Sequence, residues 1–86
     1  MIKIYAKLVK NNKTVKHYTY FSINEYSSEC FYDCVVEICN KLDISTPLVI
    51  AHTRESYEEF NSVKFTKDDF VDTFNYDLLV LENVDR

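Results

Sequence analysis

The sequence predicts an α+β fold in which a mixed sheet of four to five strands is covered on one face by one long helix. Three observations carry the prediction. Residues 2 to 21 alternate apolar and polar with a period of two, interrupted by Asn11-Asn12. Phe31, Cys34, Val35, Ile38 and Leu42 then recur every three or four residues, with Glu29, Asp33, Glu37 and Lys41 on the opposite side. Near the end, Leu78-Leu79-Val80-Leu81 is apolar without interruption, the pattern of a strand paired on both edges.

Each element follows from local chemistry. Asparagine tolerates the positive φ of a two-residue hairpin turn, so Asn11-Asn12 joins two antiparallel strands. That turn sets Lys10 opposite Lys13, Leu8 opposite Val15, Ala6 opposite His17, Ile4 opposite Thr19 and Ile2 opposite Phe21, all on the core face. The outward face then pairs Lys7 with Lys16, Tyr5 with Tyr18 and Lys3 with Tyr20. Ser22-Ile23-Asn24-Glu25 has capping-box spacing, which starts the helix near Tyr26 and carries it to Leu42. Pro47 lies outside any helix, and Leu48-Val49-Ile50-Ala51 reads as a third strand. Thr53-Arg54-Glu55-Ser56 offers a capping residue and an early acid before Tyr57 and Phe60, which predicts a helical turn or short helix. Ser62 to Phe65 forms a brief fourth strand, Thr66 to Asp69 a turn or one-turn helix anchored by Phe70, and residues 83 to 86 fray.

At 86 residues there is room for one domain, 1 to 86, and one core. So short a chain buries only about 60–65% of its unfolded surface. Six Phe and seven Tyr supply the large apolar area it needs. Cys30, Cys34 and Cys39 are odd in number and crowded together, so they build no disulfide framework and indicate a reducing, cytoplasmic setting. No apolar block resembles a leader or membrane span. Charge is unevenly spread: residues 1 to 22 hold five lysines and no acid, while the remainder holds all fourteen acids against five bases. A net charge of −4 weighs against a dedicated nucleic-acid groove, yet leaves room for a locally basic face.

Two resemblances add to this reading. The order strand, strand, helix, strand, short strand, strand resembles the ubiquitin-like β-grasp, ββαβββ, in which the last strand lies beside the first. The chain also resembles a group of short bacterial proteins of unknown function. The likeness rests on a Lys-rich hairpin, a helix ending in Leu42-Asp43-Ile44, the Thr46-Pro47 step, His52, Phe60-Asn61, Lys64-Phe65, Asp68-Asp69-Phe70 and Asp77. That group usually carries Arg at the place of Lys64 and Pro at the place of Lys67. The resemblance implies no activity, but it marks residues 52 to 77 as one packed unit.

Two surfaces are candidates for function. Lys3, Tyr5, Lys7, Lys16, Tyr18 and Tyr20 interleave bases with rings on one face, a pattern that suits a protein partner, a second copy of the chain, or single-stranded nucleic acid. The plainer account is that the tyrosine pairs stiffen an exposed sheet and the lysines guard it from aggregation. His52, Arg54 and Lys64 would form a polar site at the end of the third strand, where a small enzyme would keep its chemistry. Against that stands simple capping by Asp68 and Asp69 with Tyr57, Phe60, Phe65 and Phe70 closing the core. His17 is placed toward the core. The cysteines read as small buried hydrophobes rather than metal ligands, and Asp68, Asp69, Asp72 and Asp77 as a solvated rim. No phosphate loop, nucleophile elbow or HExxH pair is present, so no cofactor or metal is expected. The sequence therefore points to a non-enzymatic protein-binding or assembly module, working through the outer sheet face or a sheet edge. Weak single-strand binding by the hairpin, and an enzyme near His52, are the alternatives.

Overall fold

A computed structural model describes residues 1–85 of the chain. Six elements follow in order: β1 (Ile2–Lys10), β2 (Lys13–Ser22), α1 (Phe31–Leu42), α2 (Ala51–Phe60), β3 (Ser62–Thr66) and β4 (Leu78–Asn83). The four strands form one sheet in the order β2-β1-β4-β3, and every neighbouring pair is antiparallel. The expected mixed sheet is thus antiparallel throughout, and the covering layer holds two helices, α1 of 12 residues and α2 of 10, rather than one long helix beside a lesser turn.

β1 and β4 occupy the centre because they are the most apolar strands. Ile4, Ala6 and Leu8 of β1 sit opposite Asn83, Leu81 and Leu79 of β4 on the covered face. The helices bury their apolar stripes there. Phe31, Cys34, Val35, Ile38, Cys39 and Leu42 of α1 join Tyr57 of α2, Val63 and Phe65 of β3, and the residues of β1 and β4 in one continuous core. Phe70 and Phe74 stack at 3.9 Å and close its end, as expected for Phe70.

The hairpin turn forms as the asparagines predict: Asn11 and Asn12 have φ of 54° and 64°, and Lys10 faces Lys13. The Asp77 carboxylate braces it by accepting the Asn11 N–H at 2.8 Å. Beyond Thr14 the register departs from expectation. A β-bulge leaves Val15 unpaired, so Leu8 faces Lys16, Ala6 faces Tyr18 and Ile4 faces Tyr20. One residue of slip turns every later β2 side chain to the opposite face. The expected pairing would have sunk the imidazole of His17 and the hydroxyl of Thr19 against Ala6 and Ile4. The bulge replaces them with Tyr18 and Tyr20, which are partly buried and pack against the core. His17, Thr19 and Phe21 consequently lie on the outer face, and Val15 is exposed.

Three further expectations give way. The helix starts at Phe31 rather than near Tyr26, because β2 runs to Ser22 and the chain needs residues 23 to 27 to leave the sheet. Ser22 Oγ instead accepts the Asn24 N–H at 3.1 Å, a local turn, and Ser27 begins the 3₁₀ turn Ser28–Cys30 ahead of the helix. Residues 48 to 51 form no strand. Leu48 and Ile50 are 57% and 61% exposed, and the run leads straight into α2. Finally, Asn83 belongs to β4, and the Val84 N–H donates to the Lys3 carbonyl at 2.9 Å, so fraying does not begin at residue 83. Arg86 lies outside the described residues. A helix does run to Phe60, but it begins at Ala51 with Ile50 at its N-cap, so Thr53 lies inside it rather than capping it. The strand at Ser62 and the final strand stand as expected, and a 3₁₀ turn covers Lys67–Asp69.

The exchange of strand for helix predicts a contrast measurable by urea unfolding. Leu79→Ala, at a fully buried position, costs about 2–5 kcal/mol. Leu48→Ala, in the exposed run, changes stability by no more than about 0.5 kcal/mol.

Candidate functional site: the uncovered sheet face

Helices cover one face of the sheet only, so the other is a platform built by strand alternation alone. β1 contributes Lys3, Tyr5, Lys7 and Val9; β2 contributes His17, Thr19 and Phe21. β4 contributes Leu78, Val80 and Glu82, and β3 contributes Ser62, Lys64 and Thr66. Tyr5 leans on His17 with ring centroids 6.0 Å apart. Lys7 Nζ lies 3.9 Å from the Glu82 carboxylate in the middle of the platform. A shallow hollow of about 380 Å³ runs beside that pair, lined by Val9, Leu78 and Val80 with Phe60, Asn61 and Lys64 at its border. Phe60, expected to plug the core, is 67% exposed at this border.

Of the expected six-residue ladder, Lys3, Tyr5 and Lys7 stand on this face. Lys16, Tyr18 and Tyr20 stand on the other, where Lys16 Nζ donates to the Leu42 carbonyl at 3.4 Å and both tyrosines pack on the core. The ring-bearing surface is therefore Tyr5, His17 and Phe21. The first was expected there, and the other two were assigned to the core because nothing in the residue pattern announces a bulge at Val15.

The expected polar trio is divided as well. His52 and Arg54 are two positions apart on α2 and point to different sides. His52 shares an open groove with Ser56, Lys64 and Asp69, whereas Arg54 lines a separate one with Ser28, Glu29 and Phe31. The Arg54 Nε is buried without a hydrogen-bond partner. Asp69 is occupied as a cap, its carboxylate accepting the Thr66 N–H at 2.7 Å. His52 and Arg54 thus do not converge on one site.

A polar cluster missed by sequence reasoning ties α2 to the segment before α1. Glu58 Oε2 accepts the hydroxyls of Ser28 at 2.6 Å and Tyr26 at 2.7 Å. These two bonds hold the Glu58 carboxyl below its usual range, while burial and the Glu58 bond push the Tyr26 hydroxyl up. Residues thirty apart met only through tertiary packing, so no spacing could signal them. Among the cysteines, Cys30 is half-buried and Cys34 and Cys39 are buried and unpaired. Burial pushes the Cys34 thiol up to about 11 and the Cys39 thiol to about 12. Among the described residues, no group of three His, Cys, Asp or Glu side chains is placed to hold a metal ion, and no helix is long and apolar enough to cross a membrane.

Comparison with protein-family models, with curated proteins and with solved structures finds no match for the chain.

Two outcomes follow from this geometry. In maleimide labelling at about pH 7.5, Cys30 reacts at least about tenfold faster than Cys34 or Cys39, because the latter thiols are both enclosed and kept protonated. The Glu58 carboxyl is depressed in the fold, so its contribution is present above the unfolded carboxylate pKa and is lost as pH falls through the folded value. The melting difference between wild type and Glu58→Ala therefore narrows below about pH 4.

Proposed function

We propose that the protein is a non-enzymatic docking module that uses its uncovered sheet face to bind an acidic protein surface. One observation supports this above the rest: a chain of net charge −4 presents on this face three lysines, Lys3, Lys7 and Lys64, against the single acid Glu82. Between them lie Tyr5, Val9, Leu78 and Val80, with Phe21 and Phe60 exposed at the borders. Aromatic anchors inside a charged rim suit protein recognition, in which the rings lose water and the lysines steer an oppositely charged partner. The paired Glu82 disfavours a run of phosphates, and the tilt of Tyr5 against His17 suits packing better than base stacking.

Single-stranded nucleic acid is the second reading, favoured by the sharing of one face by Tyr5, His17, Phe21, Lys3 and Lys7.

Charge reversal decides between them. A partner captured by wild type binds Lys3→Glu/Lys64→Glu at least about tenfold more weakly, but binds Lys41→Glu, altered on α1, as tightly as wild type. Equal binding by all three removes the sheet face from the function. A single-stranded oligonucleotide that binds wild type with an affinity falling steeply in salt, and fails on the doubly reversed variant, replaces the protein partner with nucleic acid.

A further inference from the structure

We propose that the protein pairs with a second copy of itself along the free edge of β2, giving a two-fold dimer whose sheet runs unbroken through both subunits. This holds whichever partner the outer face takes.

The backbone fixes which groups are free. The Val84 N–H donates to the Lys3 carbonyl, and β1 pairs with β4 from Ile4 opposite Asn83 onward. Hydrogen-bonded pairs alternate along an antiparallel ladder, so Lys3, Tyr5 and Lys7 bond to β4 while Ile4, Ala6 and Leu8 bond to Tyr20, Tyr18 and Lys16 of β2. His17, Thr19 and Phe21 therefore aim their backbone N–H and C=O groups away from the sheet, and among the described residues no strand lies beyond β2 to receive them.

Past the bulge and Lys16, this edge lacks the usual protection. From His17 to Asn24 there is no formally charged residue, no proline and no glycine, in a stretch of strong strand formers. Val15, Phe21 and Ile23, along it or at its end, are 49%, 55% and 83% exposed. The opposite edge is guarded in the expected ways: β3 is five residues long, carries Lys64 at its middle, and has the Thr66 N–H already taken by Asp69.

Self-pairing suits this edge in particular. The regular part of β2 runs from Lys16, just past the bulge, to Ser22, and its midpoint is Thr19. A two-fold axis at Thr19 sets Thr19 against its copy, His17 against Phe21 and Phe21 against His17, so every outward backbone group is matched, giving about six hydrogen bonds. On the helix side Tyr18 meets Tyr20, and Lys16 and Glu37, which lies near Tyr20, bring opposite charges to the seam. Both uncovered faces then share one side of the dimer, and Phe21 of one copy extends the Tyr5–His17 surface of the other.

An edge contact is small, so the association is reversible. Light scattering of wild type gives a mass rising from the 10.2 kDa monomer toward twice that value between about 5 µM and about 500 µM. Thr19→Lys, at an exposed position on the axis, shifts the midpoint at least about tenfold higher, while Lys3→Glu/Lys64→Glu leaves it within about threefold. Amide exchange on wild type reads the same contact without substitution: His17, Thr19 and Phe21 gain protection as concentration rises, whereas Tyr18 and Tyr20 are protected throughout. A monomeric mass across the range, a dimer indifferent to a folded Thr19→Lys, or unprotected amides at 17, 19 and 21 in the concentrated sample each overturns the proposal. Should circular dichroism show Thr19→Lys unfolded, the wild-type exchange pattern decides alone.

Discussion

The unpaired Val15 is the constraint on which the rest of the surface depends. β1 has no freedom of register, because Ile2, Ile4, Ala6 and Leu8, which alternate along it, are all buried in the core that also holds Leu79 and Leu81. The tight turn at Asn11-Asn12 then fixes Lys10 and Val9 opposite Lys13 and Thr14. Without an extra residue, the turn and the central strand would together bury His17 and Thr19. One bulge reconciles the local geometry of the turn with the aromatic packing of the core, and in doing so chooses which rings face outward.

That choice also decides the electrostatics. The lysines of β1 remain on the uncovered face while most acids lie on the helices and connections, so the molecule presents two differently charged sides despite its modest net charge. The uncovered face borrows from distant parts of the chain: Lys64 comes from β3, Leu78 and Val80 from β4, and Phe60 from the end of α2. The same bulge shortens the regular edge of β2 to a run centred on Thr19. Surface chemistry and edge geometry thus have a common origin in the hairpin.

Much of the scaffold was legible beforehand, and the misses share a cause. The stripe on α1 was readable because five apolar residues at helical spacing leave one way to bury them, and β4 because an unbroken apolar run needs neighbours on both sides. Leu48 to Ile50 was misread because a short apolar run has the same appearance whether it enters a sheet or precedes a helix, and the sheet already had its apolar partners in β1 and β4. Of the candidate site, the β1 half was legible and the β2 half was inverted. Arg54 and His52 were grouped by nearness in sequence, although two positions on a helix point apart.

Periodicity, turn chemistry and composition by themselves determined an α+β domain with an N-terminal antiparallel hairpin, an apolar helix and an apolar final strand, because these depend on interactions between residues close in the chain. Tertiary structure alone decided the direction and order of the strands, the bulge, and therefore which aromatic side chains meet water. The physical reason is that a one-residue slip costs little locally and is selected only by what the opposite layer can bury.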